Sequence, residues 1–527
     1  MTMKPLSRSS GRGPTACSVG SLIVIAAIVF LSSFAQAAYL INVPQTLRQP
    51  DGEILRCLAS GDEYFNWLHD AAGYTIIQDP RTGYYVYAEP APGGEIRASG
   101  LIAGRINPAA AGLARGVQPA ASSRSRLIAA TRRRQAAADP TPAPKTGTIN
   151  NLVVFIRFQG ESEFTDAPSV FTQMLNGAGA ADNSMLGYFR EASYNRLTVQ
   201  STLYPTPGAT VLSYLDANAR GYYQPYNAVS NPTGYTGGDN GADRMNREHT
   251  LLKNAVSAVA AQVPAGLIVD GDGDGLVDNI VFVVSGSPTG WASLLWPHQW
   301  ALYSQYAYIN GKRVYTYNLQ LRTTTGTGVL CHEMCHSIGL PDLYHYSDNG
   351  IDPVGRWDVM EWDANPPQHM GAFMKWRYTG WIASLPEITA AGTYTLSPLT
   401  TSTGNCYKIR SPNSATEYFV LEYRRRAGTF EASLPGDGLL VYRINSARDG
   451  QGNASGPPDE VYIYRPDGTT SANGLVNSAA YSSAAGRTTI NDTTNPSSFL
   501  SSGGAGGLRI LNVGSAGSTI SFDVRFP

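Results

Sequence analysis

His332, Glu333 and His336, two histidines four residues apart with a glutamate beside the first, are the residues of this 527-residue chain best placed to do chemistry. On an α-helix, residues four apart lie one turn above one another, so both imidazoles can converge on one metal ion. A catalytic zinc takes three protein ligands and leaves a position for water, whose pKa it lowers to roughly 7; a carboxylate beside that water can take and return its proton. Glu333 sits where that base must be. The run continues Ser337-Ile338-Gly339-Leu340-Pro341-Asp342. Gly339 permits the left-handed residue that ends a helix, and Pro341 cannot easily continue it. Asp342 then stands six residues after His336, where H-E-x-x-H-x-x-G-x-x-H sites place their last ligand. Asp342 is the expected third ligand, and Glu361, farther along the chain, is the alternative.

A second set of hard ligands precedes the first. Asp270, Asp272 and Asp274 alternate with glycines and are followed by Gly275 and Asp278. This matches the first nine positions of a calcium loop, in which side-chain and backbone oxygens wrap a hard cation and Gly makes the sharp turn. The closing glutamate of an EF-hand is absent, because Val281 stands there. A structural calcium is expected, since four carboxylates in nine residues repel one another without a cation.

Of the five cysteines, Cys17, Cys57, Cys331, Cys335 and Cys406, too few lie in the body of the chain for a disulfide framework. Cys331 and Cys335 flank the histidines and are expected to be packing thiols rather than extra ligands. Cys57 could cap a zinc as thiolate in a latent form, but a core cysteine is the expectation.

The elements that must position these groups follow from composition and periodicity. Basic Lys4, Arg8 and Arg12, an apolar run from about Val19 to Phe34 and Ala35-Gln36-Ala37 read as a secretory signal peptide over residues 1–37. Residues 38–107 read as a small prodomain, with an amphipathic piece at Gly61–Leu68 and a strand at Tyr84–Ala88. Residues 108–146, rich in Ala, Arg, Ser and Pro, read as a basic linker with a processing site at Arg132-Arg133-Arg134. Up to Lys145 the chain holds 15 basic and 9 acidic residues, leaving 24 against 31 beyond it. That mildly acidic body offers nothing to nucleic acid.

Residues 147–385 read as a mixed α/β catalytic domain: buried strands at Leu152–Phe158 and Ile280–Val284, helices around Met185–Phe189 and Leu251–Val259, and an alternating edge strand at Val314–Leu319 for an extended substrate. Residues 386–527 lose the helical pattern. Short strands at Tyr418–Tyr423, Gly438–Tyr442, Val461–Tyr464 and Thr519–Val524 predict an all-β sandwich.

Together, H-E-M-C-H-S-I-G-L-P-D-L-Y, the aspartate loop, Leu295-Trp296-Pro297-His298 and Gly438-Leu439-Leu440-Val441-Tyr442 resemble the immune inhibitor A family of secreted bacterial zinc metallopeptidases. The likeness reaches back through Gly61-Asp62-Glu63 to Gln49-Pro50-Asp51-Gly52. It implies a metzincin-like fold whose methionine turn is Trp357-Asp358-Val359-Met360, with Met360 packed beneath the ligands; Met370 and Met374 belong to a later core helix. His298, Tyr344 and His345 are candidates for stabilising the oxyanion. The expectation is a monomeric, secreted, zinc-dependent endopeptidase, made as a latent precursor, that cuts peptide bonds in proteins, with no stable membrane anchor. The alternative is a secreted adhesion or glycan-binding protein with a vestigial peptidase unit, against which the intact His332, Glu333, His336 and Asp342 weigh.

Overall fold

Two kinds of sheet surround a third in the computed structural model, which describes residues 40–61, 65–120, 122, 141–237, 241–286, 296–346 and 350–526. The expected signal peptide, Asp62-Glu63 and the arginine triplet lie outside these residues. All described residues belong to one unit.

The first six strands, β1 (Leu40–Arg48), β2 (Ile54–Gly61), β3 (Asn66–His69), β4 (Thr75–Gln78), β5 (Tyr85–Pro90) and β6 (Ile96–Ile102), form an antiparallel meander in chain order. The described end of the amphipathic piece is β3. This sheet has its own core of Leu47, Leu55, Cys57, Leu68, Ile76 and neighbours.

The central sheet begins with β7 (Gly147–Arg157). After helices α1 (Pro168–Asn176) and α2 (Met185–Ala192) come β8 (Leu197–Tyr204) and β9 (Tyr214–Leu215), then the long helix α3 (Ala242–Val259). Next are β10 (Ile280–Val284), β11 (His298–Ala301), the small pair β12 (Tyr308–Ile309) and β13 (Lys312–Arg313), and β14 (Thr316–Leu321). Helix α4 (Thr327–Ser337) carries the two histidines, and α5 (Ala372–Arg377) follows.

The order is β11-β14-β10-β7-β8, parallel except for the antiparallel edge strand β11, with β9 beside the end of β7. Strand alternation divides the side chains between two layers. Val153, Phe155, Val281 and Val283 join α1, α2 and α4 in one core. Leu152, Val154, Ile156, Ile280 and Phe282 join α3 in the other.

This order corrects one expectation. The alternating segment Val314–Leu319 is not an edge: β14 lies between β11 and β10 and is buried throughout, so the edge beside α4 is β11. The polar members of its pattern, Thr316, Asn318 and Gln320, are 7 %, 1 % and 0 % exposed. Asn318 instead donates to Asn279 at 3.1 Å, and Asn279 also accepts from Ser337 on α4 at 2.8 Å. A buried amide chain therefore imitated the polar face of an exposed strand.

Beyond α5, a four-stranded antiparallel sheet runs β16 (Cys406–Arg410), β17 (Glu417–Arg424), β18 (Gly438–Asn445), β19 (Val461–Ile463). A three-stranded one runs β15 (Gly392–Leu396), β21 (Ile520–Val524), β20 (Ile510–Leu511). One face of the four-stranded sheet (Phe419, Leu421, Leu439, Val441) shares a core with the three-stranded sheet. The opposite face (Val420, Leu440, Tyr442, Ile444) belongs to the same core as α4 and Met360. Covering both faces explains why β18 is buried at every position. No helix among the described residues is long and apolar enough to cross a membrane.

Candidate metal centre and active site

Helix α4 ends where the sequence requires it to end. Gly339 adopts φ 92°, the left-handed region, and the Gly339 and Leu340 amides donate back to the His336 and Cys335 carbonyls at 2.9 and 3.0 Å. The chain turns back and places Asp342 opposite the two histidines. Asp342 Oδ1 lies 3.1 Å from His332 Nε2 and 3.2 Å from His336 Nε2, and the two Nε2 atoms are 3.1 Å apart.

The second ring nitrogens set the chemistry of that triangle. His332 Nδ1–H donates to the Val359 carbonyl at 2.9 Å, and His336 Nδ1–H donates to the Leu340 carbonyl at 2.8 Å. A carbonyl only accepts, so in the neutral rings both Nε2 atoms present lone pairs. Asp342 Oδ1, buried and without a hydrogen-bond donor, presents a third. Three lone pairs pointed at one spot call for a cation. Donors about 2.0–2.2 Å from a tetrahedral ion stand roughly 3.3–3.5 Å apart, close to the edges seen here. Two imidazoles and one carboxylate form a donor set that suits zinc. Burial pushes the His336 pKa down, but the Asp342 carboxylate beside it prevails and lifts it to about 9. Burial works against the Asp342 charge, and His336 and His332 hold it well below the usual carboxylate range.

Glu333 is 2 % exposed and its Oε1 takes no hydrogen bond. Burial raises its pKa, while the charges of His332, His336 and His298 pull the other way. A carboxylate with a raised pKa beside a cation site is suited to take and return a proton. The site opens through His336, whose side chain is 14 % exposed against 1 % for His332 and 2 % for Asp342.

The supporting groups come from far along the chain. Met360 is fully buried, and its carbonyl accepts from the Leu343 amide at 2.9 Å, so the ligand loop and the 357–360 turn are stitched together on both sides of His332. Asp358 caps that turn, accepting from the Met360 amide at 2.9 Å and Gly371 at 2.7 Å. Tyr346 donates its hydroxyl to Asp342 Oδ2, leaving Oδ1 to the histidines. From the β18–β19 connection, the Asn453 amide donates to the Asp342 carbonyl at 2.9 Å and its Nδ2 donates to Leu343 O and Val461 O at 2.9 and 2.7 Å. The 357–360 turn was expected beneath the site; Tyr346 and Asn453 were not anticipated. Tyr346 alone had a local signal, its spacing of four from Asp342.

The remaining expected residues fall in several places. Glu361 is outside the cluster; its carboxylate accepts from the Val354 amide at 2.5 Å and so holds a turn. His298 is buried on β11, with Nδ1–H donating to the Trp296 carbonyl at 2.7 Å and Nε2 against Glu248 at 2.8 Å. Tyr317 donates to the same Glu248 oxygen, and burial of that carboxylate is outweighed by His298 and Arg244, which draw its pKa down to about 2. His345 meets Asp459 at 2.5 Å, and Tyr344 packs against Tyr346 with ring centroids 5.1 Å apart. Cys331 and Cys335 are fully buried in the α4 core, and burial raises both thiols well above their usual pKa. Cys57 lies in the N-terminal sheet's core, where burial raises its thiol to about 12.

In the aspartate loop, Asp270, Asp272 and Asp278 bring oxygens together, whereas Asp274 is not part of that group. Asp274 instead accepts from the Leu276 amide at 2.8 Å. Lys312 Nζ, which sequence spacing could not have placed, lies 2.6 Å from Asp270. Burial and the neighbouring aspartates raise Asp278 to about 6.

Residues 270–372, from the aspartate loop through the His332–Asp342 cluster to the start of α5, match the immune inhibitor A peptidase M6 catalytic domain. A search of curated proteins returned no match. The family match covers 103 of the 527 residues and makes that segment similar to the catalytic domain of immune inhibitor A-like metallopeptidases, which supports a peptidase function with protein substrates.

Proposed function

We propose that the chain is a secreted zinc-dependent endopeptidase made as a latent precursor, with His332, His336 and Asp342 as metal ligands and Glu333 as general base. The observation that carries this reading is the convergence of three lone pairs on one buried point, with an unpartnered carboxylate beside it. A zinc ion there would lower the pKa of a water and polarise a peptide carbonyl. Glu333 takes the attacking water's proton and returns it to the leaving amine, a role its raised pKa supports. Val359, Leu340 and Tyr346 keep the donor atoms aimed, because each accepts from or donates to the far side of a ligand. His298 and Tyr344 are the groups proposed for the oxyanion or substrate.

The same reading takes Met360 as the methionine turn of a metzincin-like domain over residues 147–385. Residues 386–527 form a β-sandwich, supported by the core shared between the two C-terminal sheets. Residues 1–37 serve as signal peptide, 38–107 as prodomain and 108–146 as the linker in which activation occurs; the enzyme is monomeric. Asp270, Asp272 and Asp278 would hold a structural calcium on the aspartate loop, with Asp274 shaping the turn.

Purified protein, intact and trimmed at the arginine triplet, tests the reading by metal analysis and casein degradation. Zinc bound in both forms, with chelator-sensitive degradation by the trimmed one, is expected. Zinc-free protein that binds polysaccharide and leaves casein intact would favour the adhesion alternative instead.

A further inference from the structure

The N-terminal sheet reaches the wall of the active site through one side chain. Trp296 is 2 % exposed and shares a core with Leu47, Leu55, Leu68 and Tyr85. Among the described residues it is the only member of that core from outside residues 43–113. Two positions later the chain becomes β11, the edge strand, which packs on α4. The Trp296 backbone has a second task, since its carbonyl receives His298 Nδ1–H at 2.7 Å. His298 Nε2 is held by Glu248, whose carboxylate is fixed in turn by Tyr317. Both ring nitrogens are thus engaged, and His298 stands on the strand that packs against the helix carrying Glu333.

We propose that Trp296 is a positioning residue through which the N-terminal sheet keeps the peptidase latent. While the indole is held in that sheet's core, the edge strand is tied back and His298 Nδ1–H is spent on a backbone carbonyl. Withdrawing the sheet exposes an indole that has lost its pocket, and burial of so large an apolar surface is what fixed the 296–298 backbone. Strand β11 then moves, the carbonyl leaves Nδ1, and the ring can offer an N–H on the Glu333 side. The proposal rests on reading the chain as a latent peptidase.

The test uses the full, untrimmed chain with Trp296→Ala and Trp296→Phe. Untrimmed Trp296→Ala should hydrolyse peptide about ten-fold or more faster than the untrimmed parent, because the restrained population falls, while Trp296→Phe stays near the parent. In a Glu333→Gln background, which prevents self-digestion, amides of residues 298–301 and of β3 and β4 should exchange about ten-fold faster in Trp296→Ala. A merely structural tryptophan would lower activity on truncation, and that result overturns the proposal. So does an active trimmed chain beside a Trp296→Ala precursor that is no faster than its parent. Faster exchange in Trp296→Ala, with no hydrolysis by the variant or by the trimmed chain, upholds the clamp and sinks the peptidase reading.

Discussion

The two β regions that flank the peptidase core are attached to it in opposite ways. The N-terminal sheet has a core of its own and meets the rest through Trp296 and a few polar contacts, such as Gln78 Nε2 donating to Ser230 at 2.8 Å. The C-terminal four-stranded sheet has no such independence, because one of its faces lies in the same core as the helix that carries His332 and His336. Buried charges tie it further. Arg424 on β17, fully buried, donates to Trp357 O at 2.7 Å and His369 O at 3.1 Å and pairs with Glu431. Glu422 accepts from the Ala372 amide at the start of α5 at 2.6 Å. A region joined by one tryptophan and a few polar contacts can leave without opening the core; a region that supplies 12 of that core's 47 buried residues cannot.

Arg424→Met attacks this contrast hardest. It strands Glu422 and Glu431 as buried charges and should cost about 3–5 kcal/mol, read as a loss of the main unfolding transition together with metal binding. Leu68→Ala, in the N-terminal core, should cost about 2–5 kcal/mol, but by calorimetry only in a separate, earlier transition. If both variants shift one common transition, the two regions are not differently attached.

Asn453→Ala probes a finer joint, removing at a fully buried position one donor to Leu343 O on the Asp342 loop and one to Val461 O on β19. A stability loss of about 1–3 kcal/mol and metal affinity weaker by about 10–100-fold are expected, measured by denaturant titration and chelator competition. Unchanged affinity would mean that the C-terminal region does not brace the site.

The smallest effect concerns the aspartate loop. Asp278 is raised in the folded state, so its protonated form stabilises the cation-free protein at low pH, and that contribution is lost as pH rises through about 6. Calcium should therefore raise Tm more at pH 7.5 than at pH 5. An equal shift at both values would contradict a cation at Asp278.

Much of the site was legible because its chemistry is local. His332, Glu333, His336, Gly339 and Asp342 lie on one helix and the turn that ends it, where spacing determines direction. The buried strands β7 and β10 were legible as continuous apolar runs. What orients the ligands was not, because Val359 O, Leu340 O and the Asn453 amide are backbone or distant groups without a residue signature. Glu248, the partner of His298, sits on α3, and no periodicity connects it to β11. The edge-strand reading of Val314–Leu319 failed for a physical reason: buried Asn318 is satisfied by Asn279, so its polarity reports a hydrogen-bond chain and not solvent. The attachment of the C-terminal sheet was equally hidden, since alternating strands look the same whether their second face meets water or another core.

The most direct test of the central claim is metal content and peptide turnover of Glu333→Gln beside the parent, both trimmed. The account predicts equal metal in the two proteins and a loss of turnover of about 10²–10⁴-fold or more in the variant. Parent-like turnover without Glu333, or a parent that hydrolyses peptide with no metal bound, would contradict it.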